Sequence, residues 1–90
     1  MADINSDSIH TEQWRRLQWQ CRRGIKEVEV LLVPFFETHF STLDDADKAR
    51  FILLLEQQDA DLFEWFTQRC EPVDADLQSM VSQVLRSVGA

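Results

Sequence analysis

The sequence predicts an all-α protein, folded as one compact bundle of about five short helices. Three observations lead there. Glycine and proline occur only twice each and tyrosine is absent, so the turn signals that an all-β chain needs about every ten residues are missing. Apolar residues recur at helical spacing in several separate stretches. The chain has 90 residues, enough for one hydrophobic core and no second. With 44% hydrophobic and 28% charged residues, it is too apolar to stay disordered.

The opening, from Met1 to Ser8, is polar and acidic. It is expected to be a flexible segment (1–8) ahead of a single domain (9–90), and resembles neither a signal peptide nor an Arg-rich transit sequence. The first helix is expected from about Ile9 to Cys21, with Trp14, Leu17 and Cys21 on its core face. The second begins near Ile25 and carries Val28, Leu31, Leu32, Phe35, Phe36 and Phe40. Pro34 falls inside it and is expected to kink or divide it.

The third helix starts at Thr42-Leu43-Asp44-Asp45, with Asp44 as N-cap and Asp47 three residues on. Its stretch from Phe51 to Leu55 is apolar nearly all round, the mark of a central buried helix. A fourth helix is opened by Asp59 and carries Leu62, Phe63, Trp65 and Phe66. Glu71-Pro72-Val73-Asp74 breaks the chain again, and Asp74 is the next N-cap. The fifth has the cleanest period, with Leu77, Met80, Val81, Val84, Leu85 and Val88 on one face.

Charge narrows the function. The net charge is −7, yet Arg15, Arg16, Arg22, Arg23 and Lys26 fall in one stretch that contains no acid. A chain this acidic is repelled by nucleic acid and by anionic membranes, and its short basic patch suits an anionic feature on a protein partner. No apolar run approaches the ~20 residues that span a bilayer. Cys21 and Cys70 are isolated, which reads as free thiols in a reducing cytosol.

Two places stand out as candidate contacts. Trp19 lies off the core stripe of the first helix, among Arg15, Arg16, Arg22 and Arg23. Trp and Arg are the residue types richest in binding hot spots; alternatively, Trp19 covers a neighbouring helix. The second place is Arg22-Arg23-Gly24-Ile25-Lys26-Glu27. Here Gly24 permits a positive φ or the close approach of a partner. Glu27 either caps the second helix by reaching back to an amide or joins a flat contact surface with Gly24, rimmed by Arg22 and Arg23. The residue pattern leaves both readings open.

Enzymatic and cofactor chemistry find little support. His10, Cys21, His39 and Cys70 lack metal-ligand spacing, and a chain this small offers no deep cleft for a Cys–His nucleophile pair. No Gly-rich loop is present to cradle a phosphate or dinucleotide, so the chain is not expected to bind a dinucleotide cofactor alone. A helix-turn-helix reading fails because the would-be recognition helix carries Asp61 and Glu64 and no base before Arg69.

Arg23-Gly24-Ile25-Lys26-Glu27 resembles the Arg-Gly-x-x-Glu signature of the SdhE/YgfY family. Its members are small assembly factors for the flavoprotein subunit of succinate dehydrogenase. Trp19-Gln20-Cys21-Arg22-Arg23-Gly24, Pro34-Phe35-Phe36-Glu37, Asp59-Ala60-Asp61-Leu62-Phe63-Glu64-Trp65 and Pro72-Val73-Asp74-Ala75-Asp76-Leu77 are similar to family blocks, in order, from about Leu17 to Val88.

The resemblance implies a five-helix, cytoplasmic bacterial protein that is a monomer when free, and no enzyme. It implies binding to the FAD-loaded flavoprotein subunit of succinate dehydrogenase, and of fumarate reductase, to promote covalent FAD attachment. The implied partner-binding residues are Trp19, Arg22, Arg23, Gly24 and Glu27, with Arg23 foremost because it lies within the signature. No catalytic residue, metal or bound cofactor is implied. The alternative is an antitoxin-like or adaptor module without a flavinylation role.

Overall fold

The computed structural model describes residues 12–89. The expected flexible segment at 1–8, the expected helix start at Ile9, and His10 lie outside them. Among the described residues there are five α-helices and no strand. Helix α1 occupies 12–20. It is followed by α2 (Lys26–His39), a 3-10 turn (Phe40–Thr42), α3 (Asp45–Leu55), α4 (Asp59–Phe66) and α5 (Ala75–Gly89). The all-α bundle expected from composition and periodicity is the observed fold.

Helix α1 turns Leu17 and Cys21 into the core, while Trp14 packs half-buried with its ring 4.3 Å from that of Phe36. Helix α2 buries Val28, Leu32, Phe35 and Phe36, spaced to lie on one face. Phe35, Phe36 and Phe40 converge on Phe51 of α3, with ring centroids 5.5, 6.1 and 5.6 Å away. These are favourable distances for aromatic pairs. Helix α5 closes the core against α2, α3 and α4 with Leu77, Met80, Val81 and Val84.

The caps follow the sequence closely at two helices. The Asp44 side chain accepts the Asp47 amide at 2.8 Å and opens α3. Asp74 accepts the amides of Asp76 and Leu77 at 2.8 and 3.2 Å and opens α5. Each satisfies amides that have no partner inside the helix.

Elsewhere the structure differs from expectation. Helix α2 runs unbroken through Pro34, although proline cannot donate to the carbonyl four residues back. That carbonyl belongs to Val30, which is exposed like Pro34, so water can take the place of the missing donor. Phe40 leaves α2 for the 3-10 turn. Helix α3 is not buried all round: Phe51, Leu54 and Leu55 are buried, but Ile52 and Leu53 only half so. Val88, one residue before the end of α5, is 51% exposed although it fits the apolar period.

Helix α4 ends at Phe66, well before Pro72. Thr67 donates its hydroxyl to the Phe63 carbonyl at 2.6 Å, and Gln68 takes a left-handed φ of 63°, a conformation that stops a helix. Asp59 is the first residue of α4, not its cap; Gln58 holds that place with no side-chain bond. The Asp59 carboxylate is engaged elsewhere, as described below.

Phe51 is fully buried among three other phenyl rings. Phe51→Ala should therefore cost about 3–5 kcal/mol, a large share of the roughly 5–15 kcal/mol that holds such a domain folded. Urea unfolding measures this; a loss below about 1 kcal/mol would contradict the packing.

Candidate protein-binding site

Helix α1 ends as the amides of Cys21 and Arg22 bond the carbonyls of Leu17 and Trp19, both at 3.0 Å. Residues 22–25 then cross to α2 without regular structure. Ile25 is extended (φ −110°, ψ 117°) and precedes α2 with no side-chain cap. Glu27 and Glu29 in the first turn favour the positive end of the helix dipole.

The crossing is fastened from below by Arg23, whose side chain is only 15% exposed. Its Nη1 donates to the carbonyls of Gln20 (3.0 Å) and Leu55 (2.9 Å), and Nη2 donates to the carbonyl of Gln57 (2.6 Å). The Gln20 and Leu55 carbonyls lie at the ends of α1 and α3, where helices leave acceptors without internal donors, and Gln57 lies in the connection after α3. Nε donates to Asp59 Oδ1 at 2.6 Å. The other carboxylate oxygen, Oδ2, accepts the Gly24 amide at 3.2 Å. One carboxylate thus holds both a side chain and a backbone group of the signature.

The hydrogen bond from Arg23 holds the Asp59 carboxyl below its ordinary value; partial burial opposes this, and the Gly24 amide adds to it. By contrast, burial pushes the Cys21 thiol up to about 12, against the smaller opposing pull of Arg23. Cys21 is therefore a neutral core residue at physiological pH.

Three of the sequence readings change here. Gly24 does not have a positive φ. A methyl group added there would meet only Asp59 Oδ2, at an ordinary 3.5 Å, so the fold itself does not demand glycine. Glu27 does not cap α2: its side chain is exposed, and makes no hydrogen bond or ion pair among the described residues. Arg23 points into the protein, with four of its five N–H donors engaged by the chain itself.

The remaining candidates are on the surface. Trp19 is 74% exposed and covers no neighbouring helix. Arg22 is exposed and reaches Glu29 only at 3.8 Å, a weak surface pair. Arg22, Gly24 and Lys26 line a shallow groove with Val30, Val33 and Pro34; Trp19 and Glu27 lie outside it. A broader cleft of about 790 Å³ between the α4–α5 connection and α5 contains none of the signature residues. Among the described residues no three metal-binding side chains converge.

Sequence reasoning missed Asp59 as part of this site. An acid at the start of a helix has an ordinary local explanation, and no periodicity links it to residues 35 and 36 positions earlier. The aspartate inside a block of family likeness was the available signal.

A small helical bundle that holds a basic, solvent-facing turn rigidly from within has the features of a protein-binding module. The chain belongs to the Sdh5 family, described as flavinator of succinate dehydrogenase, whose sequence model matches residues 15–88. A relative from Pseudomonas aeruginosa named FAD assembly factor SdhE is 53% identical over 74 residues, covering 82% of this chain and 88% of the relative. Proteins of the same name from Pectobacterium atrosepticum and a Serratia strain are 44% and 46% identical over 69 residues, covering 77% of this chain and 78% of each relative.

The depressed Asp59 carboxyl ties stability to pH with a definite sign. Its contribution is complete above the ordinary carboxyl range near pH 4, and is lost as pH falls through the lower folded value. The stability gap between wild type and Asp59→Asn should be constant near neutrality and close as the pH falls below about 4. Denaturant unfolding of both proteins across pH measures it; a gap that widened in acid would contradict the ion pair.

Proposed function

We propose that this chain is a chaperone-like assembly factor that binds the flavoprotein subunit of succinate dehydrogenase and promotes its covalent FAD attachment. Family membership supports the reading, and the observation that carries it to particular residues is Gly24. It is an exposed glycine with no positive φ and no crowding at its Cβ position. A glycine that its own fold does not require fits a place where a partner's backbone comes close.

In this reading Gly24 is the point of closest approach, and the free carboxylate of Glu27 makes a polar contact with the partner. Arg22 and Trp19 are the surrounding contacts. Arg23 supports the turn from beneath and retains one N–H for a partner. Fumarate reductase, through its flavoprotein subunit, is a second partner in this proposal. The chain acts as a monomer in the bacterial cytoplasm; no helix of its described residues is long and apolar enough to cross a membrane.

The assembly factor contributes a conformation and not a reactive group. Binding one arrangement of a mobile flavoprotein better than others shifts its population toward that arrangement. Where that arrangement sets the partner's own histidine against the flavin, part of the entropic barrier to attachment is removed in advance.

The test is to co-express the flavoprotein subunit with wild type, Gly24→Arg or Glu27→Ala and measure its acid-stable flavin fluorescence. Wild type should raise the fluorescence. Both variants should fail to do so while melting cooperatively, since a side-chain Cβ at Gly24 meets only Asp59 Oδ2 at an ordinary contact distance and the Glu27 side chain makes no internal bond. Normal flavinylation by both would place the interface elsewhere, with the Trp19 face next to test.

A further inference from the structure

Two adjacent residues of the signature, Arg23 and Gly24, share one hydrogen-bond partner outside it, the Asp59 carboxylate. Gly24 lies in a four-residue crossing without regular structure, the kind of segment that ordinarily samples several conformations. Its amide has one hydrogen-bond partner, Asp59 Oδ2 at 3.2 Å. Arg23, the neighbouring residue, is fixed through Asp59 Oδ1 at 2.6 Å and three carbonyls. Asp59 is itself anchored as the first residue of α4, three positions before the buried Leu62.

We propose that Asp59 is a positioning residue for flavoprotein docking: by gripping the Arg23 guanidinium and the Gly24 amide together, it holds the turn in the shape the partner reads. The inference rests on the proposed function, because it assumes that the Gly24 surface is the docking surface. The carboxylate is 35% exposed, and its two oxygens are directed to the two adjacent residues of the signature. Fixing the turn before the encounter lowers the ordering cost of binding. Neutral replacements cannot reproduce the grip. Asparagine offers one acceptor oxygen and turns an NH2 donor toward the second N–H donor, and alanine offers neither acceptor.

A second ion-pair set in the same protein supplies a control for mere structural support. Arg50 bridges Asp47 and Asp76 at 2.8 Å each, tying α3 to α5, and none of the three touches the signature. Binding of purified, FAD-loaded flavoprotein subunit of succinate dehydrogenase is measured for wild type, Asp59→Ala and Asp76→Ala, alongside melting of the same samples. Amide hydrogen exchange at Gly24 is followed in the free chain.

Asp59→Ala should speed Gly24 exchange and weaken binding by about tenfold or more, while Asp76→Ala stays within about twofold of wild type. If Asp59→Ala does not fold, Asp59→Asn is judged by the same criteria. Binding by a folded Asp59 variant within about twofold of wild type would overturn the positioning role and leave the proposed function standing. Unchanged Gly24 exchange in that variant would overturn it as well. Failure of wild type to bind would contradict the proposed function, and the positioning role with it.

Discussion

The central constraint in this protein is a single arginine turned inward. A guanidinium that is largely buried must place its donors on acceptors, because an uncompensated charge is among the costliest things a small core can hold. Arg23 meets that demand with three backbone carbonyls and the Asp59 carboxylate. The acceptors come from the end of α1, the end of α3, the connection after it and the start of α4. Four pieces of chain are thereby joined at one point. The α1–α2 crossing sits directly on that junction, which is why a segment without regular structure can present a defined surface.

The same arrangement divides the signature between two tasks. Arg23 and the Gly24 amide face inward to the junction, while the open side of Gly24, the Glu27 carboxylate and Arg22 face solvent. With Arg23 engaged inside, the basic character of the outer surface falls to Arg15, Arg16, Arg22 and Lys26, beside the exposed indole of Trp19. On a chain of net charge −7, this local reversal of sign would, under the proposed function, steer an anionic partner surface to one region. A rigid, locally basic turn suits a protein whose proposed task is to favour one conformation of a larger partner.

Much of the fold was legible in the sequence because the responsible interactions are local. Asp44 and Asp74 cap the helices they precede by bonding amides two or three residues on, and the face bearing Leu77, Met80, Val81 and Val84 is a matter of helical period. Pro34 misled because the rule for proline counts a lost bond without knowing that the lost acceptor, on Val30, lies on the solvent side. Val88 and Ile52 fit the apolar period but lie at the margin of the packed region, which periodicity cannot mark.

The candidate site was legible in its residues but not in their orientations. Trp19 was identified as lying off the core stripe and is exposed. Gly24 and Glu27 admitted two readings from sequence, and local geometry removes the internal reason for each: no positive φ, and no cap. The inward turn of Arg23 and the grip of Asp59 depend on contacts across more than thirty residues, for which local spacing carries no signal. The central claim is that the solvent side of this anchored turn is where the flavoprotein docks. Hydrogen–deuterium exchange of the chain, free and bound to FAD-loaded flavoprotein subunit, tests it most directly. Added protection should centre on residues 19–27; protection confined to the cleft between the α4–α5 connection and α5, with residues 19–27 unchanged, would contradict the account.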